Sequence, residues 1–192
     1  MIVRHLPGAC GCIGVGPLGA VSRRFLLRTA LRSATIPRVR SSLNHVSVQV
    51  ADLEMAIRFY EGLFGLERLV APAFDAPVAW LRAGDLQVHL YEKTGAEGHS
   101  GHFALQVDDL GSVYRRAVEA GVLVRDDQGH AVYVHPSGEV QLYVVDPSGN
   151  RVEVDHPDAE RWRSEIPEMI ELASLYPQAK GAAAATLFLP GR

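Results

Sequence analysis

Apolar and polar residues alternate singly from His45 to Val50: Val46, Val48 and Val50 are apolar, while His45, Ser47 and Gln49 are polar. This two-residue period predicts a half-buried strand. The pattern returns later. Asn44-His45-Val46-Ser47-Val48-Gln49-Val50-Ala51-Asp52-Leu53 lies without a gap on Gly101-His102-Phe103-Ala104-Leu105-Gln106-Val107-Asp108-Asp109-Leu110, at an offset of 57 residues. His, Gln, Val, Asp and Leu are identical between the copies, whereas Ala51 against Asp108 changes class. A repeat of this kind predicts two copies of one structural unit.

Each strand runs into an acid and then a helical pattern. Asp52 is placed to cap a helix with Leu53, Ile57 and Tyr60 on one face, and Asp109 one with Leu110, Val113 and Ala117. Gly65 and Gly121 stand where glycine ends a helix. Extended runs follow at 67–71, 78–82 and 86–92, and in the second copy at 122–126, 131–135, 140–145 and 151–155. The second copy thus offers one run too many. Pro136-Ser137-Gly138 and Asp146-Pro147-Ser148-Gly149-Asn150 supply turns. These elements predict an α+β fold of two tandem βαβββ modules, at 42–93 and 100–156, in one domain spanning 42–156. Beyond it, 160–175 predicts a helix with Trp162, Ile166, Ile170 and Ala173 loosely on one face, broken or kinked at Pro167. The end of 157–192 is expected to be a tail that docks on a partner subunit, closes the pocket or stays mobile.

Composition narrows the class. Of 192 residues, 47% are hydrophobic and 21% charged, enough for a sizeable core. The net charge of −3 argues against nucleic acid as the main partner. It hides an asymmetry, because residues 1–40 hold seven arginines and no acid, leaving 12 of the 19 basic and all 22 acidic residues beyond them, a net of −10. Residues 1–41 are expected to be a disordered basic leader, a targeting segment or the product of a misplaced start. Cys10 and Cys12 fall there as free thiols. No apolar run reaches the length of a membrane span, and a cytoplasmic location is the expectation.

Alternation also assigns faces. Val46, Val48 and Val50 take the helix side of their strand, which puts His45, Ser47 and Gln49 on the other. Likewise His102 and Gln106 stand opposite Phe103, Leu105 and Val107, His89 opposite Val88 and Leu90, and Glu153 opposite Val152 and Val154. His45, His89, His102 and Glu153 are therefore the candidate ligands of one divalent ion, two from each module. Imidazole and carboxylate suit Zn²⁺, Ni²⁺, Fe²⁺ or Mn²⁺, and an octahedral ion so held keeps about two positions for water or substrate. A lone histidine in a strand is usually an ordinary surface or core residue, and recurrence in both modules is what lifts His45 and His102 above that reading. His89 has the further alternative of lining the pocket without ligating. His5, His99, His130, His135 and His156 have no such support.

Asn44-His45-Val46-Ser47-Val48 with Asp52-Leu53, Phe59-Tyr60 and Phe64-Gly65-Leu66 resembles the opening of the vicinal oxygen chelate superfamily, which includes glyoxalase I, bleomycin-resistance proteins and extradiol dioxygenases. Gly101-His102-Phe103-Ala104 and Asp146-Pro147-Ser148-Gly149-Asn150-Arg151-Val152-Glu153 resemble its second half and closing strand. The resemblance spans about residues 42–156. It implies a metal-holding half-barrel sheet with His45, His102 and Glu153 as ligands, and often a homodimer. At the fourth position glyoxalase I has a glutamate where this chain has His89. The phosphonate-binding lysine and serine pattern of the fosfomycin transferases has no match near 125–142. Tyr143 resembles a tyrosine that points at the metal, with a place in the barrel wall as the alternative.

The expected function is that of a divalent-metal enzyme of glyoxalase or dioxygenase type acting on a small oxygen-chelating substrate, with the ion as Lewis acid. Tyr143 is the candidate catalytic residue, and Gln49, Gln106, Trp80 and Tyr91 are candidates to line the pocket. The alternative is a non-catalytic, small-molecule binding protein of bleomycin-resistance type.

Overall fold

The structure is a computed structural model that describes residues 42–98, 101–184, 186, 187 and 189. The leader, His5, Cys10, Cys12 and His99 lie outside the described residues.

The first module runs β1 (His45–Val50), α1 (Leu53–Phe64), β2 (Glu67–Leu69), β3 (Val78–Ala83) and β4 (Leu86–Glu92). The second runs β5 (His102–Gln106), α2 (Leu110–Glu119), β6 (Val132–Val134), β7 (Val140–Val145) and β8 (Arg151–His156). Their sheets have equivalent orders, β1-β4-β3-β2 and β5-β8-β7-β6, and a further strand β9 (Met169–Glu171) extends the second. Both first strands pair in parallel with the last strand of their own module.

Local signals start and stop both helices. Asp52 accepts from the Met55 N–H at 2.8 Å, and Asp109 from the Ser112 N–H at 2.9 Å. Gly65 ends α1 at φ 69°, a left-handed conformation that costs glycine least. Leu53, Ala56, Ile57, Tyr60 and Leu63 of α1 are buried in one core with Val48, Val50, Ala79, Leu81, Val88 and Leu90. Leu110, Val113 and Ala117 of α2 enter the same core with the apolar faces of β7 and β8. Burying a side chain of this size is worth roughly 1.5–3 kcal/mol, so the alternating valines hold the polar residues between them to the other face.

The turn at Asp146–Asn150 joins the modules. Asp146 Oδ1 accepts the N–H groups of Ser148 and Asn150, both at 2.8 Å, which folds the turn. The folded turn reaches the end of β1: Ala51 N–H donates to Ser148 Oγ at 2.8 Å, and Asn150 Nδ2 donates to the Gln49 carbonyl at 2.8 Å. The link between modules passes so near that a Cβ at Gly98 would lie 1.8 Å from the Gly149 carbonyl oxygen.

Two expected elements differ. The run 122–126 is no strand: Leu123 forms an isolated bridge to Val144, beyond the part of β7 that β6 occupies, and Asp126 then turns the chain back toward His130. The expected helix over 160–175 is instead a 3-10 turn at Glu160–Trp162, then β9, then the four-residue helix α3 (Leu172–Leu175). Trp162 and Ile166 are both buried, as the helical spacing implied, but they close a single turn through Ile166 N–H to the Trp162 carbonyl at 2.9 Å. Pro167 brings no N–H to continue that ladder, and Met169–Glu171 pair with the open edge of β6 instead.

Candidate metal centre

On the first sheet the register sets Trp80 of β3 beside His89 of β4, with Ser47 of β1 next to it and His45 one row away. Side chains from neighbouring strands stand side by side at about the strand spacing of 4.8 Å. Their rings stack: Trp80 on His89 at 4.4 Å and 6°, His89 on His45 at 4.2 Å and 14°. His89 Nε2 lies 2.7 Å from Gln87 Oε1, and His45 Nδ1 meets the Asn44 side-chain oxygen. Burial, and then the charge of His45, hold His89 below the usual histidine pKa. The stack thus favours a neutral His89, the form in which an imidazole nitrogen keeps a lone pair for a ligand.

On the second sheet, His102 Nε2 lies 2.8 Å from Glu153 Oε2. Tyr143 donates to that same oxygen at 2.5 Å. Gln141 Nε2 donates to the Tyr143 hydroxyl at 3.2 Å, and His135 Nε2 meets Gln141 Oε1. Burial raises the Tyr143 pKa, and the hydrogen bond and charge of Glu153 raise it further. Tyr143 therefore keeps its proton and points it at the carboxylate. Glu153 is 7% exposed and Asp155 2%. The two share a face, and burial, then the charge and hydrogen bond of Glu153, then the charge of Glu139, push Asp155 up to about 7.

The candidate residues thus assemble as two groups on two sheets: His45, His89 and Trp80, then His102, Glu153 and Tyr143. Among the described residues no three His, Cys, Asp or Glu side chains gather as a cation cage. Tyr91 and Gln49 pair in register next to the first group, and Gln106 pairs with Asp155 next to the second. The Gln49 carbonyl is engaged by Asn150. Sequence reasoning set His135 aside for want of a repeat partner and missed Gln141, Arg151 and Asp155. The signal was present, since Gln141 stands two residues before Tyr143, and Arg151 and Asp155 two residues either side of Glu153, all on one strand face.

The donors fit a borderline divalent ion. They are imidazole nitrogens and a carboxylate, with second bonds from Gln87 to His89 and from Tyr143 to Glu153 of the kind that orients ligands.

The two sheets with equivalent strand orders, each with its helix, make this an α+β protein of two paired modules. The chain belongs to the Glyoxalase/Bleomycin resistance protein/Dioxygenase superfamily, whose family model matches residues 42–154. It is 26% identical over 130 residues to Glyoxylase I 4 of Arabidopsis thaliana, covering 62% of this chain and 72% of that protein. It is 27% identical over 117 residues to the Metallothiol transferase FosB of Lysinibacillus sphaericus (strain C3-41), covering 58% of this chain and 79% of that protein. Among solved structures, the fosfomycin resistance protein FosX of Listeria monocytogenes in its monoclinic form superposes with a TM-score of 0.51 at 20% identity, covering 66% of this chain and 98% of that one. That likeness is one of fold. Among the described residues no helix is long and apolar enough to cross a membrane.

Proposed function

We propose that this protein is a divalent-metal-dependent enzyme of the glyoxalase or dioxygenase type, acting on a small molecule that offers two oxygens to the ion. The observation that carries the reading is the convergence of His102 Nε2 and the Tyr143 hydroxyl on one oxygen of Glu153. His45, His102 and Glu153 would hold the ion, with His89 as the fourth donor. Bound there, a divalent ion supplies Lewis acidity that stabilises an enediolate or alkoxide. Tyr143 holds a proton at its hydroxyl beside that carboxylate, and Trp80 keeps the His89 ring in place by stacking. The naming of two relatives as a glyoxylase and a metallothiol transferase supports an enzyme.

Among the described residues no three of these donors gather within one chain, which supports a reading in which a second copy supplies the other pair. We infer a homodimer in which the first module of one chain serves the second module of the other.

Elemental analysis of the purified protein tests the reading. The expected result is about one divalent ion per chain, lost in His102→Ala and Glu153→Gln. A protein without stoichiometric metal, or variants that retain it, would overturn the proposal. Iron would favour oxygen chemistry, and nickel or zinc an isomerase or lyase.

A further inference from the structure

Arg151 opens β8 two residues before Glu153, so the two side chains leave the same face of the sheet. The register sets it opposite His102 on one side and Val145 on the other. Its guanidinium carbon stands 5.6 Å from the centre of the Tyr143 ring. Arg68, Arg82, Arg115, Arg125 and Arg163 each lie against a glutamate. Arg151 meets the face of an aromatic ring instead, as Arg161 does over Trp162, but of the two only Arg151 shares a strand face with Glu153.

That placement combines three properties. The contact with Tyr143 orients the flat guanidinium without consuming its hydrogen-bonding fork, which matches an oxyanion in bidentate geometry. The charge sits at the exposed start of a strand whose Glu153 is buried, at the rim rather than the floor of the site. The surrounding chain carries a net of −10 beyond residue 40. An anionic molecule approaching such a domain is repelled except where a local cation focuses the field.

We propose that Arg151 is the oxyanion anchor of the site, so that the substrate carries a carboxylate or phosphonate beside the oxygens offered to the ion. This rests on the metal reading above and narrows it from any oxygen chelator to an anionic one. Arg151 is a specificity-determining residue here: it holds the far end of the substrate while His102 and Glu153 serve the near end.

Calorimetric titration of the metal-loaded protein tests it, with 5-hydroxy-4-oxopentanoate and 3-hydroxy-2-oxopropylphosphonate as charged probes and hydroxyacetone, which offers the same two vicinal oxygens, as the neutral one. Wild type should bind at least one charged probe more tightly than hydroxyacetone, and which one it prefers tells carboxylate from phosphonate. Arg151→Gln should weaken the charged probe on the order of tenfold to a hundredfold, the range of a hydrogen bond to a charged group, and leave hydroxyacetone unchanged. Arg151→Lys should recover part of the loss, since it restores the charge without the fork. Charged probes that bind wild type no better than hydroxyacetone, or bind Arg151→Gln as well as wild type, overturn the anchor. Metal content of each protein is measured alongside. A fully loaded Arg151→Gln with unchanged affinities sinks the anchor alone, whereas a wild type that takes up no ion sinks the metal reading and the anchor with it.

Discussion

Tyr60 donates its hydroxyl to Asp146 Oδ2 at 3.1 Å, across 86 residues of sequence, from the first helix of one module to the closing turn of the other. Tyr60 is fully buried, and burial followed by the charge of Asp146 raises its pKa far out of the physiological range. The same carboxylate organises the turn that reaches β1, so the bond joins the modules and braces the turn before β8. Tyr60→Phe keeps the ring and removes only the donor. It should lower the free energy of unfolding by about 1.5–3 kcal/mol, the net value of a hydrogen bond to a charged group. A urea titration with an unchanged midpoint would show that the bond adds nothing to stability.

The link at Gly98 should tolerate no side chain. A Cβ there would meet backbone, the Gly149 carbonyl oxygen at 1.8 Å, and backbone cannot swing aside as a flexible side chain can. Gly98→Ala should cost on the order of 1–3 kcal/mol, as overpacking does. Gly101→Ala, with open space around its Cβ position, should be near neutral. Thermal unfolding of the two variants side by side decides the matter.

Tyr143 and Glu153 should separate in their effects on metal binding. Glu153→Gln removes a donor, whereas Tyr143→Phe removes only a hydrogen bond to one. Loss of an orienting partner typically costs 10–100-fold in affinity. Competition with a chromophoric chelator should therefore show Tyr143→Phe weakened on that order yet still metallated, and Glu153→Gln without stoichiometric metal. Equal loss in both would remove the ground for treating Tyr143 as a supporting group.

Acid sensitivity should have a local source at Asp126. Burial opposes its charge, but donors from the His130 N–H, the Tyr133 hydroxyl, the His130 ring and the Gln128 N–H outweigh it and bring the carboxyl to about 2, from an ordinary 3.8. The folded state thus holds this proton less tightly than the unfolded chain. The contribution is complete above the ordinary value and is lost as pH falls through about 2. Asp126→Asn should lower the melting temperature at neutral pH, with a gap from wild type that narrows as pH falls from about 4 toward 2. A gap that stays constant over that range would place the effect elsewhere.

What was legible in the chain depended on how local the cause was. Asp52 and Asp109 cap their helices from within three residues, and the valines of β1 announce their face by alternation alone. The module repeat followed from these. Met169–Glu171 was not legible as a strand, because three residues carry too little pattern and their partner is the edge of β6, some 37 residues away. The run 122–126 looked extended and makes only a bridge, because β6 already occupies the adjoining part of β7. Within each sheet, alternation put Trp80 and His89 on one face and Tyr143 and Glu153 on another. How one sheet stands to the other depends on the Asp146 turn and the packing beneath it, which no periodicity encodes.

The partition of the donors into one pair per sheet has a consequence for handling the protein. If each ion is shared between two chains, its retention is governed by mass action on the protein as well as on the metal. Dilution at a fixed free-ion concentration would then strip the ion, and a preparation found empty at low concentration would regain it on concentrating.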